Sequence, residues 1–180
     1  TGDTAILDES VPFISGPALA PDAHDSFFRP ETSDKSASIY EHAALGLDLA
    51  LARTGPHGLP LILGGDWNDG MNRVGVAGRG ESVWLAWILS GTLARFIPVA
   101  EGRGDQQRAN NWRTHLERLR DAIETAGWDG HYYRRAYYDD GTPLGSAADG
   151  ESRIDAMALY WSGLSGHGNP KRSKQALDAA

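Results

Sequence analysis

The residues from about 107 to 126 leave this chain little choice of architecture. Trp112, Leu116, Leu119, Ile123 and Ala126 step by four, three, four and three, the period of an α-helix with one apolar stripe, while Arg and Glu residues fill the opposite face. Such a stripe has to be covered, and the chain offers partners for it. Ile39, Ala43, Leu47, Ala50 and Leu51 recur at helical spacing, which predicts a helix from about Asp34, capped by Ser33 or Asp34 and stopped by Gly55-Pro56. A second amphipathic segment from about Glu81 turns Val83, Trp84, Trp87, Ile88 and Phe96 inward, with the charge of Glu81 suited to a first helical turn. A further helix from about 153 carries Ile154, Met157, Ala158, Trp161 and Leu164 and stops near Gly166-His167-Gly168, and another begins after Pro170.

The connecting segments are long and rich in Gly and aromatic residues. Residues 1 to 33 hold prolines at 12, 17, 21 and 30 and read as extended or looping chain. Tyr132 to Tyr138 lie between the turn signals Trp128-Asp129-Gly130 and Asp139-Asp140-Gly141-Thr142-Pro143, which predicts a short strand or an extended loop. A helical scaffold whose function sits in its loops is the expected arrangement.

Composition narrows the function. A net charge of −7 argues against a nucleic-acid binder, which needs clustered Lys and Arg to displace counterions, but leaves room for a small anion held by a few Arg residues. The chain has no Cys, so disulfides, thiolate nucleophiles and Cys-based metal sites drop out. No run approaches the roughly 18 to 20 apolar residues needed to cross a bilayer, and the N-terminus lacks the build of a signal peptide. The chain starts at Thr1 and is read as a portion of something longer.

The loop Gly64 to Gly75 concentrates the candidate chemistry: Asp66, Trp67, Asn68, Asp69, Asn72 and Arg73 stand between glycines. Sugars offer apolar faces that stack on Trp and hydroxyls that pair with Asp, Asn and Arg, and glycosidic cleavage needs a carboxylic acid to protonate the leaving oxygen. Composition alone also fits a plain turn. An EF-hand reading fails on spacing, because counting from Asp66 puts Gly70 at position five and Ala77 at position twelve. Gly75 to Gly80 is neither a Walker loop nor a dinucleotide fingerprint, and no His pair has zinc spacing.

The run Gly58-Leu59-Pro60-Leu61 through Gly65-Asp66-Trp67-Asn68-Asp69-Gly70-Met71-Asn72-Arg73-Val74-Gly75, followed by Gly78-Arg79-Gly80-Glu81-Ser82-Val83-Trp84, resembles the catalytic region of the cellobiose phosphorylase family, glycoside hydrolase family 94. Two more blocks are similar to the branch holding the phosphorylase-like domain of cyclic β-1,2-glucan synthases and the 1,2-β-oligoglucan phosphorylases. They are Trp128-Asp129-Gly130 with Tyr133-Arg134-Arg135-Ala136, and Asp139 to Ser146 with Glu151-Ser152-Arg153-Ile154-Asp155. The resemblance covers nearly the whole chain. It implies an all-α fold, with residues 1 to 180 forming part of one (α/α)6 barrel that has long Gly- and aromatic-rich loops and short strands. About a dozen helices build such a barrel, and this chain supplies four or five, so an incomplete active site is expected.

The resemblance further implies inverting phosphorolysis of a β-glucan oligosaccharide, with no cofactor and no metal, and with inorganic phosphate as co-substrate. Asp69 takes the position of the family's general acid, Trp67 lines the sugar subsite beside the cleaved bond, and Glu151 falls where a residue contacts the leaving sugar. Burial beside Trp67 is expected to raise the Asp69 pKa. The implied partners are the remainder of the barrel and a larger synthase chain, and the implied location is the cytoplasm, or the cytoplasmic face of the inner membrane for a synthase. Where the branch reads Ala-Gln-Ser-Trp this chain has Ala158-Leu159-Tyr160-Trp161, a departure that removes a polar side chain near the site.

Other residues take plainer roles. Asp66 is read as a brace for the loop, Trp84, Trp87, Trp112 and Trp161 as core, and His42 and His115 as ordinary helix residues. Arg134 and Arg135 beside four tyrosines either hold phosphate or sugar or form a cation-aromatic cluster at the surface. Two alternatives stand beside the phosphorylase: a non-catalytic carbohydrate-binding or regulatory barrel, and an inverting hydrolase on the same scaffold.

Overall fold

The computed structural model describes residues 2–20, 23 and 26–180, apart from the side chain of Asp69, so Pro21 lies outside the described residues. The chain divides into two compact units, residues 1–52 and 53–180.

In the first unit, strands β1 (Ser10–Ser15) and β2 (Glu31–Ser38) pair antiparallel, from Ser10 opposite Ser38 to Ser15 opposite Glu31, with an irregularity between Pro12 and Ile14. Helix α1 (Ile39–Ala52) follows directly. The expected extended start is therefore a hairpin, and the helix predicted from Asp34 begins five residues later. Ser33 does make a local cap-like bond, accepting from the Lys35 amide at 2.9 Å, but backbone pairing with β1 claims residues 34–38 for the strand. The working cap is Ser38, whose hydroxyl accepts from the Glu41 amide at 3.2 Å. His42 is a satisfied helix residue, 3.1 Å from the Val11 carbonyl and against the Phe13 ring.

The second unit is built on α2 (Val83–Gly102), α3 (Gln106–Ala122), α4 (Ala156–Leu164) and α5 (Pro170–Ala179). Each starts on a polar side chain that accepts a first-turn amide: Ser82, Asp105, Asp155 and Asn169 respectively. The stripe of α3 behaves as its period requires. Trp112, Leu116, Leu119 and Ile123 are buried, and the helix runs on through one π turn, Ile123–Gly127. Leu119, Ala122 and Ile123 join Val83, Trp87, Leu59, Tyr133, Ala158, Leu159 and Ala176 in one apolar cluster. Trp84, Trp87 and Trp112 are buried, and Trp161 is partly buried against the same cluster.

Three strands close the unit: β3 (Glu81–Ser82), β4 (Ala136–Tyr137) and β5 (Pro143–Leu144), paired antiparallel in that order. The chain is thus mostly helical with small open sheets, the short strands falling where the Tyr-rich segment was expected to be extended. Glu81 belongs to β3 and not to a first helical turn. The helix predicted from 153 starts at Ala156, which leaves Ile154 ahead of it and exposed, and Leu164 at its end is exposed too. Although α2 holds no unbroken apolar run of bilayer-spanning length, it satisfies the length and composition of a membrane span, with a mean hydropathy of 1.5 over an 18-residue window. Ser90, Thr92 and Arg95 interrupt its apolar residues and hide it from a count of consecutive ones. Half of that window is buried inside the protein, where α2 packs on α3 and α4.

Trp87 is 1% exposed and meets Tyr133 edge-on with ring centroids 5.0 Å apart. Trp87→Ala is expected to cost about 3–5 kcal/mol through the cavity it leaves, read as a lowered urea midpoint.

Candidate active site

The Gly-rich loop is closed at its base by backbone pairing. The Ile62 amide donates to the Gly80 carbonyl at 2.8 Å, the Ser82 amide donates to Pro60 at 2.9 Å, and Leu61 bridges Glu81. Leu59 and Ile62 are fully buried and root the incoming strand-like segment. Glu81, 1% exposed, braces the turn before it: its carboxylate accepts from the His57 and Leu59 amides at 3.0 and 3.2 Å and meets His57 Nδ1 at 2.5 Å. His57 in turn stacks on Tyr137 with centroids 4.0 Å apart.

Asp66 anchors the front of the loop. Its side chain and that of Arg135 are both fully buried, and Arg135 Nη2 reaches Asp66 Oδ1 at 2.8 Å and Oδ2 at 2.6 Å. The Ser82 hydroxyl donates to Asp66 Oδ2 at 3.1 Å and the Asn68 amide to Oδ1 at 3.0 Å, so both carboxylate oxygens are occupied. Arg135 spends its other nitrogens nearby. Nη1 donates to the Ser82 hydroxyl at 3.2 Å, while Nε lies 3.3 Å from Asp155 Oδ2, an ion-pair distance without hydrogen-bond alignment. Its guanidinium carbon sits 5.3 Å from the centre of the Trp84 ring.

Asp139 clamps the back of the loop. Its carboxylate accepts from the amides of Ala77, Arg79 and Gly80 at 2.7, 2.8 and 2.9 Å, and Arg79 Nε donates to its carbonyl at 3.0 Å. Desolvation pushes this carboxyl upward, but the three amides and the Arg79 charge outweigh it and hold Asp139 below the usual carboxylate range. Gly80 has to be glycine, since a Cβ there would overlap the Val74 carbonyl.

Between these anchors lie the residues singled out for chemistry. Asp69 opens a short 3₁₀ turn, Asp69–Met71, and its side chain is outside the described residues. Trp67 is 85% exposed, so within this chain its indole does not provide the buried wall expected beside Asp69. Glu151 lies exposed on the bend that leads to α4, in the segment that ends at Asp155. Asp66 is the brace it was read to be. Arg135 is neither an open anion ligand nor a surface residue, because it is 0% exposed. Arg134 is also committed, donating through Nη1 to the carbonyls of Ala126 and Trp128 at 2.9 and 2.6 Å. Leu159 is fully buried in the apolar cluster, so the departure at this position adds to the core, whereas Tyr160 is exposed. No group of His, Asp and Glu among the described residues is arranged to hold a metal ion.

Sequence reasoning missed Asp139, Asp155 and the pairing of Arg135 with Asp66. The turn signal around Asp139 marked its place but not its three amide partners, which lie about sixty residues upstream.

The sequence model of the glycosyl hydrolase 94 superfamily, catalytic domain, matches residues 1–180. The chain is 62% identical over 179 residues to the cyclic beta-(1,2)-glucan synthase NdvB of Rhizobium meliloti, covering 99% of this chain and 6% of that protein. It is 36% identical over 178 residues to the 3-O-beta-D-glucopyranosyl-beta-D-glucuronide phosphorylase of Paenibacillus borealis, and 31% identical over 180 residues to the solabiose phosphorylase of the same organism. Each of these covers 99% of this chain and 21% of the phosphorylase. The chain therefore spans only a small part of the relatives it matches.

Asp66→Ala strips a buried guanidinium of the carboxylate it hydrogen-bonds and is expected to cost about 3–5 kcal/mol, read as a lowered urea midpoint, much of it recovered when Arg135→Met is added. Asp139 gives a pH signature. Because its pKa is depressed, the clamp is complete above the ordinary value of 3.8 and is lost as pH falls through the depressed value. Hydrogen exchange at Ala77, Arg79 and Gly80 is therefore expected to stay slow, relative to the intrinsic rate, down to that range, and to be fast at every pH in Asp139→Ala.

Proposed function

This chain belongs to the glycosyl hydrolase 94 superfamily, and from that premise we propose that it carries the proton-donating side of an inverting glycoside phosphorylase site. Asp69, protonated, gives its proton to the glycosidic oxygen as the bond from that oxygen to the anomeric carbon breaks. A phosphate oxygen bonds to the anomeric carbon from the opposite face, yielding α-glucose 1-phosphate and a shortened glucan. An inverting hydrolase needs a second carboxylate to activate water, but phosphate is already an anionic nucleophile, so one catalytic acid suffices.

The observation that carries this reading is the commitment of Asp66. With both its oxygens bound by Arg135, Ser82 and the Asn68 amide, it is unavailable as a proton donor, which leaves Asp69 as the loop's other carboxylate to propose for that role. Trp67 is proposed to stack on the sugar next to the cleaved bond, and Glu151 to contact the leaving sugar. The β-1,2 linkage is proposed from the 62% identity to a protein named for cyclic β-(1,2)-glucan. The proposed partners are a β-glucan oligosaccharide, inorganic phosphate and the remainder of an (α/α)6 barrel, since the matched phosphorylases are about five times as long. In a glucan synthase the site would face the cytoplasm at the inner membrane; in a free phosphorylase it would be cytosolic.

The test is glucose 1-phosphate release from β-1,2-glucooligosaccharides by the full-length protein, with and without phosphate. Release is expected to depend on phosphate and to fall by about 10²–10⁴-fold in Asp69→Asn. A normal rate in that variant sinks the assignment of Asp69. Bound oligosaccharide with no release favours the binding barrel, and free glucose released without phosphate favours a hydrolase.

A further inference from the structure

We infer that Arg135 is a positioning residue for proton donation, locking the loop that carries Asp69 to the segment that carries Glu151. The inference rests on the phosphorylase reading above and adds to it a residue that touches neither sugar nor phosphate.

Arg135 reaches both segments. Its Nη2 holds Asp66, three residues before Asp69, while its Nε faces Asp155, four residues after Glu151 and the cap of α4. Its third contact, Ser82, caps α2 through the Leu85 amide. The backbone of the same residue repeats the arrangement: its amide donates to Leu144 at 2.8 Å, and its carbonyl accepts from Val83 at 3.1 Å. Gly145, at φ +71°, lies so close that a Cβ would come within 2.8 Å of the Arg135 Cβ, so the chain leading to Glu151 is packed directly on this residue.

A charged group at zero exposure is an expensive way to fill space, and apolar residues of similar volume often do it at no cost in stability. What an apolar residue cannot do is hold one segment by hydrogen bonds, here at Asp66, while drawing a second to it by charge, here at Asp155. A planar guanidinium, with five donors in a rigid fork, does this, and Lys cannot replace it because its single ammonium cannot span both carboxylates in that geometry. Of the three charged groups of the network, Asp66 belongs to the loop, Asp155 to the segment before α4, and Arg135 to the position just ahead of β4. Proton donation is sensitive to such positioning, since an error of about 1 Å can cost about a hundredfold in rate.

The signature of a positioning role lies in the leaving group. An oligosaccharide needs a proton on its departing oxygen, whereas 2,4-dinitrophenyl β-glucoside departs as a stable phenolate and does not. Damage to the acid's position slows only the first, and general damage to the fold slows both. The experiment uses the full-length protein, phosphate and both substrates, comparing wild type with Arg135→Lys and Asp155→Ser. Ser at 155 keeps a cap on α4 while removing the carboxylate from Arg135, so this variant tests the inference even where Arg135→Lys fails to fold.

Both variants are expected to lose at least about tenfold in kcat on the oligosaccharide and to stay within about threefold of wild type on the aryl glucoside. Equal loss on the two substrates, or no loss on either, overturns the inference and leaves the phosphorylase reading standing. A wild type that releases no glucose 1-phosphate from the oligosaccharide overturns both.

Discussion

The second unit depends on one buried ion pair. Bringing Arg135 and Asp66 out of water costs several kcal/mol per ion before anything is returned, and the return requires good geometry and satisfied remaining donors and acceptors. Asp66 meets that condition fully, with two contacts to the guanidinium, one to a hydroxyl and one to an amide. Arg135 meets it nearly, its Nε lying near Asp155 without alignment and its face on Trp84. The loop therefore starts from a point that cannot drift without exposing a charge to an apolar interior. The caps of α2 and α4, Ser82 and Asp155, are contacts of the same group.

The loop from Gly64 to Gly80, seventeen residues with six glycines, would be floppy if only its front were fixed. Two more carboxylates hold it. Glu81 gathers the turn ahead of it through two amides and an imidazole, and Asp139 gathers its returning end through three amides. In each case a single side chain replaces the sheet or helix partners that the irregular backbone lacks. The segment left between the anchors holds Trp67, Asn68 and Asp69. Its rigidity is borrowed from acidic residues that take no part in the proposed chemistry.

Periodicity revealed the helices because burial of a stripe is a local, repeating demand, and α3 shows it throughout. It failed where a distant partner decided the matter. The cap signal at Ser33 or Asp34 puts residues 34–38 in the helix, yet they belong to the strand that pairs with β1, and the working cap is Ser38. The anchors of the loop were harder still. Charge in a sequence suggests exposure, so Arg135 beside four tyrosines read as a surface cluster or an anion ligand, and Glu81 as an exposed first-turn acid. Their burial follows from partners 22 to 69 residues away, which spacing cannot reveal. The Asp-Trp-Asn-Asp loop itself was legible, because its residue types and its resemblance to a family pointed to the same place.

The proposed chemistry asks one loop region to keep acids in opposite states. Asp139 is held ionised by amides and Arg79 despite the desolvation that opposes it. A proton donor needs the reverse: an environment poor in donors and cations and screened from water, so that the neutral form persists near neutral pH. Trp67, at 85% exposure, does not supply that screen within this chain. Two sources of cover fit the proposed function: the rest of the barrel, and the sugar ring itself once stacked on the indole. If the sugar contributes, the acid becomes poised only when substrate is bound, which ties proton donation to occupancy. That coupling makes sense of an exposed aromatic residue held in place by anchors as costly as a buried ion pair.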